Sequence, residues 1–268
     1  MERSPRIHIV FNSAEERRIT EPIIVHDPDR LYYFTAHIKS TGQSDEHMDF
    51  FENNTNFLKE KIPKMEIMQK AVDYADYIEI IQELSKIIKK EREKNITSEI
   101  LVNISSGSKI TALASTEASM IWNCKTYYVH STHYNPLLGP RHDGEMIIFK
   151  PVMFPIQKPR KNLIDVLKII DEMIENKYKK KISACSTKFI YKKDLKNILL
   201  EKGYIALKKR NENPRNMASS HYMKLNHAYL NPLSLELKCI EISDDKRNKK
   251  IYLTPTGKNM LEIFKYLI

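Results

Sequence analysis

The chain has 268 residues, of which 41% are hydrophobic and 29% charged, with a formal net charge of +10. That size and apolar content allow one large domain or two modest ones, each able to bury a core. No apolar run approaches the length needed to cross a bilayer, and the widely spaced Cys124, Cys185 and Cys239 suggest buried small hydrophobes rather than a disulfide framework or a zinc ribbon.

Arg3 and Arg6 are followed only by a short apolar run, which does not read as a secretion signal, so a cytoplasmic location and no membrane partner are expected. The charge is uneven. From Lys150 onward 26 Lys and Arg stand against 12 Asp and Glu, whereas the first 149 residues hold 18 against 22. A basic C-terminal part behind a mildly acidic one points to a polyanion such as nucleic acid, or else to a lysine-rich solvated surface.

In chain order, Arg6 to Phe11 (RIHIVF) reads as a first strand ending in the loop Asn12-Ser13-Ala14. Thr20 or Ser13 is a candidate cap for the next helix, and Pro22 is expected only near that helix's start. Leu31 to Ala36 reads as a second strand, Asp45 to Ile62 as a helix, Met65 to Val72 as a weaker strand. Asp73 to Glu93 is the longest helical run, with Tyr77, Ile80, Ile81, Leu84, Ile87 and Ile88 in one stripe. This alternation predicts a parallel α/β sheet.

The most informative stretch is Ser98 to Trp122. Ile100, Leu101, Val102 and Ile104 suit a strand buried on both faces, and Ser105-Ser106-Gly107-Ser108 forms a turn. Ile110, Leu113, Ala114, Ala118 and Ile121 then recur at helical spacing, with Glu117 on the same face. Such a bend sits at the carboxyl end of its strand, where exposed backbone N–H groups attract anions; Gly107 permits close approach and Lys109 adds a charge. An ordinary strand-to-helix turn with solvated polar residues fits equally well. Neither G-x-G-x-x-G nor G-x-x-x-x-G-K-[ST] is present, which disfavours a dinucleotide fold or a P-loop NTPase.

The run Asn103-Ile104-Ser105-Ser106-Gly107-Ser108-Lys109 resembles the N-[ILV]-[ST]-[GS]-G-[ST]-K signature of CARF domains, the CRISPR-associated Rossmann-like sensors of cyclic oligoadenylates. Serine at position 106, where family members often carry glycine, removes one freely flexible position. The resemblance implies a ligand set of Asn12, Ser13, Ser105, Ser106, Gly107, Ser108 and Lys109, joined by Thr132, His133, Tyr134 and Asn135 after the next strand, Lys125 to Val129. His133 and Tyr134 could stack on a base. His130, His133 and His142 lack the cysteine or acidic partners of a tetrahedral metal set, so no metal or cofactor is expected.

After an edge strand at Glu145 to Lys150, Pro151, Pro155 and Pro159 read as a stiff connection. The expected organisation is a ligand-sensing domain over 1–150, a linker over 151–161 and a second domain over 162–268. Asn162 to Tyr178 is an amphipathic helix with Asn162 as its cap, and Ser186 to Gly203 contains a second, with Leu195, Ile198 and Leu199 on one side. Met217 to Leu237 is a third, broken or kinked at Pro232. Cys239 to Ser243 and Lys250 to Leu253 flank a hairpin with a basic tip, and Thr254-Pro255-Thr256-Gly257-Lys258 opens a last helix.

Helices, a charged hairpin and L-T-x-x-G-K resemble the winged helix-turn-helix of archaeal and bacterial regulators. The implied duplex-DNA contacts are Ser219, Ser220, His221 and Lys224 in the groove and Lys246, Arg247, Lys249 and Lys250 on phosphates. Together the two resemblances match CARF winged-helix transcriptional regulators. They imply a homodimer that shares one cyclic oligoadenylate, cyclic tetra-adenylate foremost, and carries no catalytic residue. Two alternatives stay open. Arg215 and His221 fit the R-x4–6-H spacing of HEPN ribonucleases, and the sensor domain could itself cleave a ring ligand with Ser105, Ser106 or Lys109.

Overall fold

The computed structural model describes residues 3–39, 41–137, 140–153, 156–179, 187–205 and 214–264. The chain divides into two compact units, Met1–Lys158 and Pro159–Ile268. No helix among the described residues is long and apolar enough to cross a membrane.

The first unit is an α/β layer structure. Its strands are β1 (Arg6–Phe11), β2 (Arg30–Ile38), β3 (Gln43–Ser44), β4 (Glu66–Val72), β5 (Glu99–Asn103), β6 (Lys125–Tyr134) and β7 (His142–Phe149). Six of them run in the order β3-β2-β1-β5-β6-β7, and β4 pairs with β2 as well. The pairs β1–β2, β1–β5, β2–β4 and β5–β6 are parallel, while β7 closes one edge antiparallel to β6 and β3 returns antiparallel on the end of β2. Near-continuous burial of Ile7–Phe11, Leu31–Phe34 and Ile100–Val102 is what central strands covered on both faces require.

The intervening helices are α1 (Arg17–His26), α2 (Met48–Lys61), α3 (Tyr77–Lys94) and α4 (Lys109–Trp122). The expected stripe of α3 is buried at Ile80, Ile81, Leu84, Ile87 and Ile88, and Asp76 caps the helix by accepting from the Glu79 N–H.

Three local expectations fail. Neither Thr20 nor Ser13 caps α1, because Glu16 holds that position without a side-chain bond; Thr20 Oγ1 instead donates to the Glu16 carbonyl. Pro22 lies in the middle of α1 rather than at its start. A proline there cannot donate to the Arg18 carbonyl, and Asn103 Nδ2, from the end of β5, takes that role at 3.0 Å. The helix expected from Asp45 begins at Met48, since Asp45 bonds backbone: its carboxylate accepts from the N–H groups of His47 and Ala36.

The apolar face expected for α4 is buried at Ala114, Ala118 and Ile121 but not at Ile110 and Leu113. Leu113 is 66% exposed, while Thr111, Ala114, Ser115, Ala118 and Ser119 are buried. Small side chains let this helix approach the Ser85 side of α3 closely enough for Trp122 Nε1 to donate to Ser85 Oγ at 2.7 Å. Cys124 and Cys239 are buried and unpaired, and burial pushes both thiols up to about 11; Cys185 lies outside the described residues.

The second unit contains α5 (Lys161–Tyr178), β8 (Ile190–Tyr191), α6 (Lys192–Glu201), α7 (Pro214–Leu225), β9 (Ile240–Ile242), β10 (Lys250–Leu253) and α8 (Pro255–Phe264). The three strands form one sheet, ordered β8-β10-β9 and antiparallel throughout. Leu163, Val166, Leu167, Ile170 and Ile174 of α5 share a core with Leu195, Leu199, Leu225, Leu233, Ile240, Ile251 and Leu261. Arg160, not Asn162, stands at the cap of α5 and makes no capping bond.

The proline at 232 does not simply end the third helix. Beyond α7 the backbone widens into two π-type turns, Asn226–Leu230 and Pro232–Glu236, in which the N–H groups of Asn231 and Leu237 reach carbonyls five residues back. Gly257 starts α8 against the Cys239 carbonyl, where an added Cβ would lie 2.2 Å from that oxygen. Helices, an antiparallel hairpin and this close-packed last helix make the second unit a winged helix.

Candidate functional site

A cavity of about 770 Å³ opens where the parallel strands of the first unit end. Asn12, Ser13 and Ala14 follow β1; Ala36 and Ile38 lie at the end of β2 and the segment 43–47 comes after it; Tyr74 follows β4; Ser105, Gly107 and Ser108 follow β5; Tyr134 ends β6; Arg141 and His142 meet β7. Convergence of carboxyl ends on one hollow is the standard ligand position of an open α/β sheet, and the volume lies in the range of small-molecule sites.

The bend after β5 is held from several sides. Asn103, buried, accepts the Ser105 N–H on Oδ1 while its amide serves the Arg18 carbonyl. The Ser105 hydroxyl accepts from the Val129 N–H. Ser108 Oγ caps α4 by accepting from the Thr111 N–H at 3.1 Å and also donates to the Tyr74 carbonyl. Gly107 sits at φ 83°, and a Cβ there would lie 2.5 Å from Thr111 Oγ1 and 2.7 Å from the Phe11 Cβ. Two hydroxyls of the motif therefore build the loop rather than wait for a ligand.

Ser13 and Ser106 are different. Their hydroxyls are buried and have no hydrogen-bond partner among the described residues; Ser13 lines the cavity and Ser106 does not. Asn12 lines it too but is spent on structure, donating to Asp45 and to the His47 carbonyl and accepting from the Tyr33 hydroxyl.

Of the other residues expected to bind ligand, Tyr134 faces the cavity. Thr132, His133 and Asn135 do not line it; Thr132 Oγ1 accepts from the Glu145 N–H, and Asn135 Oδ1 accepts from the Leu137 N–H within the turn. Lys109 is exposed on the first turn of α4, beside a separate shallow hollow lined by Leu113, Glu117 and Met120. Glu117, with no evident pairing in the sequence, sits half-buried there.

Sequence reasoning missed the cavity's charged floor. Glu15 and Arg18 are both nearly buried, with Arg18 Nη1 3.3 Å from Glu15 Oε1; His142 Nδ1 contacts the same oxygen. Arg18 also donates to the Val129 carbonyl at 3.0 Å and stacks 5.2 Å from the Tyr128 ring. Glu15 Oε2 is buried without a partner among the described residues. At the rim the exposed Arg141 has no side-chain partner among the described residues. The one signal available beforehand was the i, i+3 spacing of Glu15 and Arg18 directly after a strand. Among the described residues no cluster of three or more His, Cys, Asp and Glu is disposed to hold a metal ion.

In the second unit, Ser219 and Lys224 are exposed and Ser220 is half-buried. His221 is not on their face: it is 8% exposed and points into the unit, so the outward face is completed by Met223 and His227 instead. The side chain of Arg215 lies outside the described residues. Lys246, Arg247 and Lys249 project from the β9–β10 turn, whereas Lys250 is half-buried with Nζ 3.6 Å from Asp245.

Two family models match the chain: one described as HFX_2341-like, N-terminal, over residues 6–134, and the DUF6293 C-terminal winged helix domain over residues 164–265. Between them they take in most of both units. The chain belongs to the proteins that join an HFX_2341-like N-terminal domain to a DUF6293 winged helix domain.

No curated protein matches it. Solved structures with a similar fold include Enterococcus italicus Csm6 bound to cyclic hexa-2'-fluoro-hexa-dAMP, at 11% identity and a TM-score of 0.43, covering 87% of this chain and 56% of that one. Can2 from Sulfobacillus thermosulfidooxidans, in complex with cyclic tetra-adenylate, gives 13%, a TM-score of 0.37 and coverage of 97% and 64%. Protein VC1899 from Vibrio cholerae gives 8%, 0.39, and 98% and 65%. The chain thus spans under two thirds of the length of these proteins. The motif that carried the resemblance to CARF domains is the bend that walls the cavity.

Proposed function

We propose that the protein is a cytoplasmic, ligand-responsive regulator whose CARF-like unit takes a cyclic oligoadenylate, cyclic tetra-adenylate foremost, and whose winged helix holds duplex DNA. The observation that carries this reading is the cavity itself, walled by the Ser105–Ser108 bend, open to the amino end of α4, and edged by Arg18 and Arg141. Backbone N–H groups and Arg141 would meet phosphates, while Ser13 and Tyr134 would meet ribose and base. A cyclic ligand with internal symmetry suits two copies of the chain sharing one ring, and a two-fold dimer suits a palindromic operator. Ligand binding then acts by changing the spacing of the two recognition helices.

The outward residues Ser219, Ser220 and Lys224 are the groove contacts in this reading, with Lys246, Arg247, Lys249 and Lys250 on the backbone. His221, being buried, supports α7 from inside, which also argues against a catalytic Arg215–His221 pair.

A second reading, cleavage of the bound ring, is favoured by one feature, the contact between Glu15 and His142 on the cavity floor. Such a carboxylate–imidazole pair could move a proton at the ligand. Thermal unfolding against a panel of cyclic oligoadenylates tests the sensor reading: the true ligand raises the melting point, by about 2.7 kcal/mol of stabilisation at a hundredfold excess over Kd. No shift with any ring size would remove it, and chromatography of the incubated ligand for linear products decides between sensing alone and sensing with cleavage.

A further inference from the structure

The small sheet of the winged helix has a second face, and it is aromatic. Successive residues of a strand point to opposite sides. Ile190, Ile240 and Ile251 are buried in the core of the unit, so Tyr191, Lys250 and Tyr252 take the outer side. Tyr191 stands directly across from Lys250 in the β8–β10 register. Phe189, two residues before Tyr191, joins them, its ring 5.3 Å from that of Tyr191 and 5.8 Å from that of Tyr252.

Cations frame these rings. Lys177, reaching over from α5, donates to the Phe189 carbonyl at 2.9 Å and holds its ammonium 3.9 Å from the Phe189 centroid and 4.8 Å from that of Tyr191. Lys250 Nζ lies 5.3 Å from the Phe189 centroid on the same face. Tyr191 is 36% exposed and Tyr252 partly so, although each could have been buried on the inner side of its strand. Glu241, opposite Tyr252, places a carboxylate at the far edge and Asp245 lies 3.6 Å from Lys250 Nζ, so the positive flank is the Lys177 side.

A row of accessible rings with ammonium groups along one flank matches a single strand of nucleic acid, whose bases each offer a π-face and whose phosphates run along one side. The excess of lysine and arginine from Lys150 onward supplies long-range attraction for the same polyanion. We propose that this outer face is a base-stacking site for unpaired nucleic acid: Tyr191 and Tyr252 stack bases, Lys177 pairs with phosphate, and the site is separate from the duplex contacts of α7 and the wing tip. Duplex DNA keeps its bases inside the helix and cannot use these rings.

The test uses the full chain and fluorescence anisotropy with a labelled thymidine strand of about 15 nucleotides, roughly the largest site of one such domain, beside a hairpin duplex. The Tyr191→Ala, Tyr252→Ala pair is expected to lose single-strand affinity by at least about tenfold, while the Tyr→Phe pair and all duplex affinities stay within about twofold, because stacking needs the ring and not the hydroxyl. If the double alanine variant does not fold, Tyr191→Ala alone serves, backed by ultraviolet crosslinking of the wild type, in which crosslinks are expected on peptides containing Tyr191 or Tyr252. Absence of single-strand binding, equal losses for single strand and duplex, indistinguishable alanine and phenylalanine variants, or crosslinks confined to α7 would each overturn the proposal.

Discussion

His8 is the residue whose environment departs furthest from its chemistry. It is fully buried in β1 between the rings of His26 and Tyr127, at 5.2 and 5.6 Å, and neither ring nitrogen has a hydrogen-bond partner among the described residues. Burial, and then the nearby His26, push its pKa down to about 3. The folded state therefore refuses a proton that the unfolded chain accepts near 6.5. Stability from this group is intact above that value and is lost as the pH falls toward 3, with a slope of at most about 1.4 kcal/mol per pH unit. His8→Leu should flatten the acid limb of a melting-temperature profile between about pH 6 and 4, and an unchanged limb would contradict the assignment. Arg141 gives the complementary prediction at the cavity rim. Its loss in Arg141→Ala should weaken an anionic ligand by roughly tenfold, the worth of one charged hydrogen bond, with little effect on the melting point of the free protein.

Elements explain what the sequence revealed and what it hid. The strands were legible because continuous apolar runs have few other uses, and the bend after β5 was legible because small residues between a buried strand and a helix announce a close approach. Gly107→Ala should accordingly destabilise the fold by about 2 kcal/mol or more, from a strained φ and the clash with Thr111 and Phe11, lowering the melting temperature, and should abolish the ligand-dependent shift. The face of α4 misread only at Ile110 and Leu113, where apolar size was taken for burial. The helix packs through alanine and serine, which leaves Leu113 outside. Glu15 and Arg18 stayed hidden for a different reason. A charged pair at the entry to a helix reads as solvated until another element covers it, and here His142 arrives from β7, far along the chain. At the wing tip, neutralising Lys246, Arg247 and Lys249 together should lower the salt slope of duplex binding by roughly 0.9 for each phosphate that is no longer neutralised. An unchanged slope would remove the wing from the DNA interface.

For the molecule as a whole, the division of charge and the two families point the same way: a mildly acidic unit with an open cavity and a basic unit with exposed lysines. If they are coupled, linkage requires that any factor by which ligand changes DNA affinity is returned as the same factor on ligand affinity when DNA is bound. Measuring both affinities on one preparation checks that equality, and unequal factors at equilibrium would mean that the two assays report different states. The most direct measurement is calorimetric titration of the full chain with cyclic tetra-adenylate. Saturable binding at one ring per two chains, weakened about tenfold by Arg141→Ala and lost in Gly107→Ala, is the expected result. No binding of this or any other ring, or binding that both substitutions leave untouched, would contradict the assignment of the cavity.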